Sequence, residues 1–342
     1  MLIGISFFAA GMFYDQPHIA MWIGFMLAGY SAIANDSIQT IGTFIASNKD
    51  KKWWVLWLFI GSIFLVTVTY SWIAYGGDVS SGRLGDLNGA GQLKYPQPSS
   101  FSFLQIAAPV FLLILTRLRM PVSTTFMLLS SFAIDQSGIT SVLFKSLQGY
   151  LIAFGAGMIV WLLITRVSAK YFKGKAASWW TIAQWITSGT LWSVWIMQDA
   201  ANIAVYLPRK LAFVEFLGFA GFIFFGLGFL FYMRGDRIQQ IVDEKSQVTD
   251  VRPATIIDLI YALILVYKLF ISTVPMSTTW VFLGLLAGRE LAMSIRDASG
   301  SGKPMPVVLR MVGRDVGFAL IGLAISVALA VGINPKLGAG LF

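Results

Sequence analysis

Two kinds of short polar segment, each present twice and in the same order, are the residues of this chain most able to do chemistry. Asp36 lies in an Ala-Asn-Asp segment and Asp199 in a Gln-Asp-Ala-Ala-Asn segment. A Ser-Thr-Thr triplet then follows shortly after Pro121, and a second follows shortly after Pro275. All four segments interrupt long apolar stretches. Polar groups in a bilayer core are costly unless they face protein, water or a ligand, so the duplicated set predicts a central binding site.

The chemistry of these segments suits an anion together with a cation. A proline followed by hydroxyl residues starts a helix well, and free N–H groups and hydroxyls at a helix start bind oxyanions. The predicted anion contacts are Ser123, Thr124, Thr125, Ser277, Thr278 and Thr279. Asp36 and Asp199 are hard oxygen ligands for a co-transported cation. Amides near both aspartates complete the predicted substrate site, namely Asn35, Gln39, Gln198 and Asn202.

Composition places this set of residues in a membrane protein. The 342 residues are 57% hydrophobic and 12% charged, with a mean hydropathy of +0.74, which excludes a soluble protein. The absence of cysteine and a single histidine exclude disulfides, thiolate metal sites and His-based triads. We therefore expect no enzyme, although a membrane-embedded enzyme acting on lipid head groups is the alternative from another class. The segment Met1 to Tyr14 lacks the features of a signal peptide and predicts a short first helix or an interfacial segment.

The net charge of +9 reflects topology and not nucleic-acid binding. Basic residues cluster in the connections at 49–52, 166–175 and 234–252. The positive-inside rule places these connections in the cytoplasm and the loop at 77–100 outside. We expect an integral protein of a bacterial inner (plasma) membrane, whose general partner is the lipid bilayer.

The order of elements predicts an all-α polytopic fold of two inverted-topology repeats, 1–170 and 171–342. Each repeat has an interrupted helix, a span, two arms joined at a proline, and a last span. In the first repeat these are 19–47, 53–76, 101–135 and 141–165; in the second they are 178–207, 211–233, 254–293 and 306–333. Arms of about 15 residues rise only about 23 Å, so each pair predicts a re-entrant hairpin. Three crossings per repeat invert the second, so its hairpin enters from the cytoplasm and the first hairpin enters from outside.

The polar segments also resemble the motifs of the inorganic phosphate transporter (PiT) family. Ala34-Asn35-Asp36 and Gln198-Asp199 with Asn202 resemble its two asparagine-aspartate motifs, and both Pro-Xaa-Ser-Thr-Thr segments resemble its hairpin motifs. The resemblance implies a sodium-coupled symporter of inorganic phosphate that works by alternating access. It also implies that Asp36 and Asp199 hold sodium while the hairpin hydroxyls hold the anion.

Several positions depart from the family pattern and leave alternatives open. These are Ile33 and Met197, which replace small residues, Gln39 and Gln198, which replace asparagine, and Phe126 and Trp280, which replace histidine. Sulfate or another oxyanion, proton coupling, and a transport-inactive anion sensor are the alternatives. The sequence also leaves open whether the chain works alone or as a homodimer. Near the hairpin tips, Arg117, Arg119 and Lys268 either neutralise the anion or extend to an interface.

Overall fold

The structure is a computed structural model that describes residues 2–118, 120, 122–172, 174–233, 250–296 and 303–340. The helices in these ranges are α1 (Leu2–Phe13), α2 (Pro17–Ser47), α3 (Trp53–Ala74), α4 (Phe103–Arg117), α5 (Gln136–Tyr171), α6 (Ser178–Ala204), α7 (Phe213–Tyr232), α8 (Val251–Ile271), α9 (Thr278–Arg296) and α10 (Met305–Ile333). A π-helical turn (Thr125–Leu129) and a 3₁₀ turn (Ser130–Phe132) lie between α4 and α5. Arg119, Pro121 and the predicted basic connection at 234–249 lie outside the described residues.

Six helices are long and apolar enough to cross a membrane: α2, α3, α5, α7, α8 and α10. Large apolar side chains project outward from several of them, with Val66 71% exposed, Phe225 68% and Phe270 83%. Water would oppose such exposure, whereas lipid tails favour it. The predicted all-α membrane protein is therefore confirmed. The predicted short helix before the first long one is also present, as α1.

The prediction of interrupted helices at 19–47 and 178–207 is wrong. Both α2 and α6 run without a break through Asp36 and Asp199. In α2 the groups of Asp36 have neighbouring partners: Asn35 Nδ2 donates to Asp36 Oδ1 at 2.7 Å, and Thr40 Oγ1 donates to the Asp36 carbonyl at 3.1 Å. An aspartate inside a helix costs well under about 1 kcal/mol in intrinsic propensity, so local satisfaction is enough to preserve the helix.

Of the four predicted arms of about 15 residues, only α4 has that length. In the first half, α4 has 15 residues, and the π and 3₁₀ turns form a short second arm. Gln105 Nε2 donates to the Ser131 carbonyl at 3.1 Å, so the arms are antiparallel; we call residues 103–132 the first hairpin. In the second hairpin, residues 251–296, α8 has 21 residues and α9 has 19. A helix of that length rises about 30 Å, so this pair is longer than predicted.

Corresponding long helices of the two halves pack antiparallel. At one end of the α2–α6 pair, Asn48 Nδ2 donates to Gln184 Oε1 at 2.9 Å. At the other end, Gly24 on α2 lies against the ring of Tyr206, just beyond α6. The α3–α7 pair behaves in the same way, with Trp53 beside Tyr232 and Trp72 beside Phe216, the last two rings stacked at 5.0 Å.

Each hairpin packs against the last span of the other half. A Cβ atom at Gly288 of α9 would lie 2.1 Å from the carbonyl oxygen of Phe154 on α5, so only glycine permits this helix contact. Gly284 and Gly157 make equally close backbone contacts along the same pair. In the first hairpin, Val122 and the short second arm lie against α10. The Val122 side chain contacts Gly322, and Ser326 Oγ lies 3.9 Å from the Met127 sulfur.

The connections gather at two ends of the bundle. At the basic end are residues 48–52, residues 172 and 174–177, and the start of α8, where Arg252 donates to the carbonyls of Phe172 and Gly174. At the loop end are residues 77–100, the base of the first hairpin and the α6–α7 connection. Arg209 joins these elements by donating to five carbonyls, among them those of Tyr95 and Leu207. The described basic connections thus share one end, as the charge pattern predicts, and the loop at 77–100 lies at the other.

Candidate functional site

The two hairpin tips meet at Asp199, a carboxylate that is 4% exposed on α6. Thr278, at the start of α9, donates to Asp199 Oδ2 at 2.5 Å. Thr125, from the first hairpin, lies 3.4 Å from Oδ1 and 3.2 Å from the Met276 carbonyl, and its single hydroxyl proton serves one of these acceptors. Asn202 donates to Asp199 Oδ1 at 2.9 Å and to Thr125 at 3.1 Å. Residues that lie far apart in sequence therefore surround one buried charge.

Asp36 forms the second part of the site. Its carboxylate accepts a hydrogen bond from Asn35, whose amide also faces the Val122 carbonyl at 3.3 Å in the first hairpin tip. The Thr124 hydroxyl lies beside Asp36. Asp199 is close enough to act electrostatically on Asp36. Two acidic groups of like charge inside a membrane span need a neutralising partner.

Three oxygen atoms around these aspartates are buried: Gln198 Oε1 and Asn202 Oδ1 have no hydrogen-bond partner among the described residues, and Thr124 Oγ1 has the Asp36 carboxylate as its neighbour. Buried polar atoms are nearly always satisfied, so unsatisfied oxygens point to a missing partner. Two of the three are amide carbonyl oxygens, which accept but do not donate. The partner that suits them is a donor or a cation.

The remaining predicted residues have mixed positions. Ser123 and Ser277 are helix caps, because each hydroxyl accepts the N–H three residues later, at 3.2 Å in both cases. Each cap still has its hydroxyl proton to donate. Thr279 is buried beside them, and Gln39 is half-buried and donates to Asn35 at 3.4 Å. The predicted residues are thus brought together, although Gln39 lies at the edge.

The depth of the site follows from the long helices that flank it. Ser277 N–H donates to Ser146 on α5 at 2.8 Å, and Val122 lies against Gly322 on α10. Both contact points are about ten residues, or about 15 Å of helix, from the loop end. Both tips therefore lie well inside the bundle.

Arg83 is a site residue that the sequence does not reveal. It comes from the loop at 77–100, yet it is only 2% exposed, and its guanidinium donates to the Ser272 carbonyl beside the second hairpin tip at 2.6 Å. Burial lowers the pKa of Arg83 to about 10, and the nearby charge of Asp199 partly opposes that effect. Arg83 is therefore a cation at neutral pH. No motif marks it, because the loop's glycine and serine content is typical of a solvent-exposed connection.

The basic residues predicted near the tips lie elsewhere where they are described. Arg117 is exposed at the end of α4. Lys268 is buried and donates to Gln148 on α5 at 3.3 Å, away from both aspartates. Arg119 lies outside the described residues. Arg83 thus takes the place that was predicted for these side chains.

Comparison with known proteins found no match to any protein-family model, curated protein or solved structure. Function is therefore argued from the site.

Proposed function

We propose that this protein is a secondary active transporter of an inorganic oxyanion, with phosphate as the substrate and sodium as the coupling ion. The observation that carries the proposal is the meeting of Thr125 and Thr278, one from each hairpin tip, at Asp199. A duplicated set of polar groups well inside the bundle, approached by both halves of the chain, is the arrangement that alternating access needs. The antiparallel packing of α2 with α6 and of α3 with α7 supports inverted repeats, and the short arms of the first hairpin support a re-entrant hairpin in the first half.

Sodium suits the carboxylates and the unsatisfied oxygens. Asp199 with the carbonyl oxygens of Gln198 and Asn202 forms an all-oxygen donor set, and Asp36 adds a second negative charge. Among the described residues no three Asp, Glu, His or Cys side chains form a metal-binding group. Carboxylate and amide oxygens are the hard donors that a hard cation such as sodium accepts.

The hydroxyls supply the coupling step. Thr278 donates to Asp199, and the Thr125 proton is shared between Asp199 and the Met276 carbonyl, so neither proton is directed at an anion. When sodium neutralises Asp199, those hydroxyls are free to turn and donate to a tetrahedral oxyanion. The cap hydroxyls of Ser123 and Ser277 and the charge of Arg83 complete the anion's surroundings. Sodium thus raises anion affinity, and linkage requires that the anion raise sodium affinity by the same factor.

Flux into proteoliposomes tests this function. Labelled phosphate should enter when sodium is supplied outside, and should not enter when choline replaces sodium. Asp199→Asn should abolish the sodium stimulation, whereas Thr190→Ala, which changes an exposed hydroxyl on the same helix, should not. Uptake of sulfate in preference to phosphate, or uptake that follows a proton gradient and ignores sodium, would replace the stated substrate or coupling ion. Anion binding with no flux would indicate a sensor.

A further inference from the structure

A second buried acid lies away from the central site. Asp258 on α8 is 1% exposed, and the duplicated motifs do not include it. Thr43 on α2 donates to its Oδ1 at 2.6 Å, and Ser188 on α6 donates to its Oδ2 at 2.5 Å. Counted along α2 and α8, this cluster is about two helical turns, or about 10 Å, nearer to the basic end than the central site.

No charge among the described residues neutralises Asp258. The carboxyl group of Asp258 is buried and accepts two hydroxyl hydrogen bonds, and no charged side chain acts on it electrostatically. The helices packed against α8 are α2, α5, α6 and α9. None of the ionisable side chains that these helices carry at a similar height acts electrostatically on Asp258. These side chains are Asp36, Lys145, Asp199, Arg289 and Glu290. An isolated carboxylate inside a membrane span is strongly disfavoured, so this group needs a small cation.

Polar side chains connect Asp258 to the basic end. Ser47 is only half-buried, and it donates to the Thr43 carbonyl at 2.7 Å. Gln184 is fully buried and donates both to Ser47 and, at 3.4 Å, to the Thr43 carbonyl. Asn48 then donates to Gln184 at 2.9 Å. A hydrogen-bonded series of polar side chains therefore runs from the basic end to the backbone carbonyl of Thr43, the residue whose hydroxyl contacts Asp258.

We propose that Asp258 is a proton-binding site, loaded and unloaded from the basic end and distinct from the sodium site. The short oxygen to oxygen distances favour a proton over a metal ion. An ion of calcium's size holds oxygens at about 2.3–2.6 Å from itself, so it could not enter without separating both hydroxyls from the carboxylate. A proton needs no such opening: it forms an O–H bond on Asp258, and Thr43 or Ser188 turns to accept it. On release, the proton passes to a water molecule that enters from the basic end along these polar side chains.

Infrared spectroscopy of the purified full-length chain tests this site without relying on transport. The wild type should show the C=O stretching band of a protonated carboxyl group, which disappears as the pH is raised. Asp258→Asn should remove the band. Asp199→Asn and the exposed-hydroxyl control Thr190→Ala should retain it. Ser188→Ala keeps the acid but removes one hydrogen-bond partner, so the band should remain at a shifted frequency, which covers the case in which Asp258→Asn does not fold.

Three results would overturn the proposal. The first is a set of spectra in which neither Asp258→Asn nor Ser188→Ala changes a protonated-carboxyl band at any pH. The second is a band lost only in Asp199→Asn, which would place the proton at the central site. The third is loss of the band on adding sodium at constant pH, which would identify a metal site. Because the band is measured without anion, a failure of phosphate flux leaves this result unaffected, and the two proposals fail separately.

Discussion

The bond from Thr278 to Asp199 should be measurable as a coupling energy that sodium and phosphate change. Replacing Thr278 with valine removes the hydroxyl and also leaves the Trp195 N–H, which donates to Thr278 at 3.2 Å, without an acceptor. The single variant therefore mixes two effects. A double-mutant cycle with Asp199→Asn separates them, because the loss at Trp195 is the same in both backgrounds and cancels.

The expected size follows from the charge of the acceptor. A hydrogen bond to a charged group contributes about 1.5–3 kcal/mol and a neutral bond about 0.5–1.5 kcal/mol. The Asp199→Asn variant would keep a neutral acceptor, so the cycle should give about 1–1.5 kcal/mol, or about five- to tenfold in the unfolding equilibrium constant. The measurement is unfolding of the four proteins in mixed micelles without sodium.

A matched cycle uses Thr190→Val with Asp199→Asn. Thr190 is exposed on the same helix and donates to the Ile186 carbonyl, so its coupling to position 199 should be within about 0.5 kcal/mol of zero. With saturating sodium and phosphate, the Thr278 coupling should increase, because only the proteins that keep Asp199 bind sodium, and of these only the one with Thr278 can donate that hydroxyl to the anion. A Thr278 coupling no larger than the control would refute the bond's importance. A coupling that sodium and phosphate do not change would show that Thr278 only supports Asp199 and would refute the coupling scheme.

Three further predictions concern the scaffold. Gly288→Val should prevent the close α5–α9 contact and abolish the folded, monodisperse protein in size-exclusion chromatography, whereas the exposed Gly313→Ala should not. Asp135 caps the start of α5; burial alone would raise its pKa, but hydrogen bonds from Ser137, Asn88 and Gly138 outweigh burial and lower it. Its contribution is therefore present at neutral pH and lost as the pH falls through the lowered value, so Asp135→Ala should cost about 1 kcal/mol at pH 7 and little in acid, as seen by thermal unfolding. Because the chain has no native thiols, an impermeant maleimide should label Ala90→Cys but not Lys175→Cys in intact cells, and the reverse pattern would invert the topology.

The sequence predicts the convergence of the motifs because their order and chemistry are local properties. Asp199, Thr125 and Thr278 could be selected from residue type and duplication alone. The sequence could not predict that α2 and α6 are continuous. In α2, continuity depends on whether Asn35 and Thr40 satisfy the hydrogen bonds of Asp36 within the helix, or whether the helix must break to do so. The length of α8 also escaped prediction, since the apolar run at 254–293 shows where a hairpin lies and not where its helices end.

Residues missed by the sequence analysis act through tertiary contacts. Arg83 lies in a segment whose composition is typical of a surface loop, and only the folded chain shows that its guanidinium reaches Ser272. Asp258 stands alone in its stretch, with no second copy to mark it, and its partners Thr43 and Ser188 are 215 and 70 residues away in sequence. A pattern within one segment of the sequence cannot reveal a side chain whose environment is formed by three separate segments.

The close contact between α5 and α9 has a consequence for biosynthesis. The glycine-lined seam joins a helix of the first half to one that ends at residue 296, so a nascent chain inserts α5 long before its partner exists. Until α9 is translated, that face of α5 must be covered by lipid or by insertion machinery. The first hairpin stays without its partner for longer, because α10 is translated after all the other described helices. Neither half is then a separately folding unit, and coexpressed halves should assemble only by exchanging hairpins.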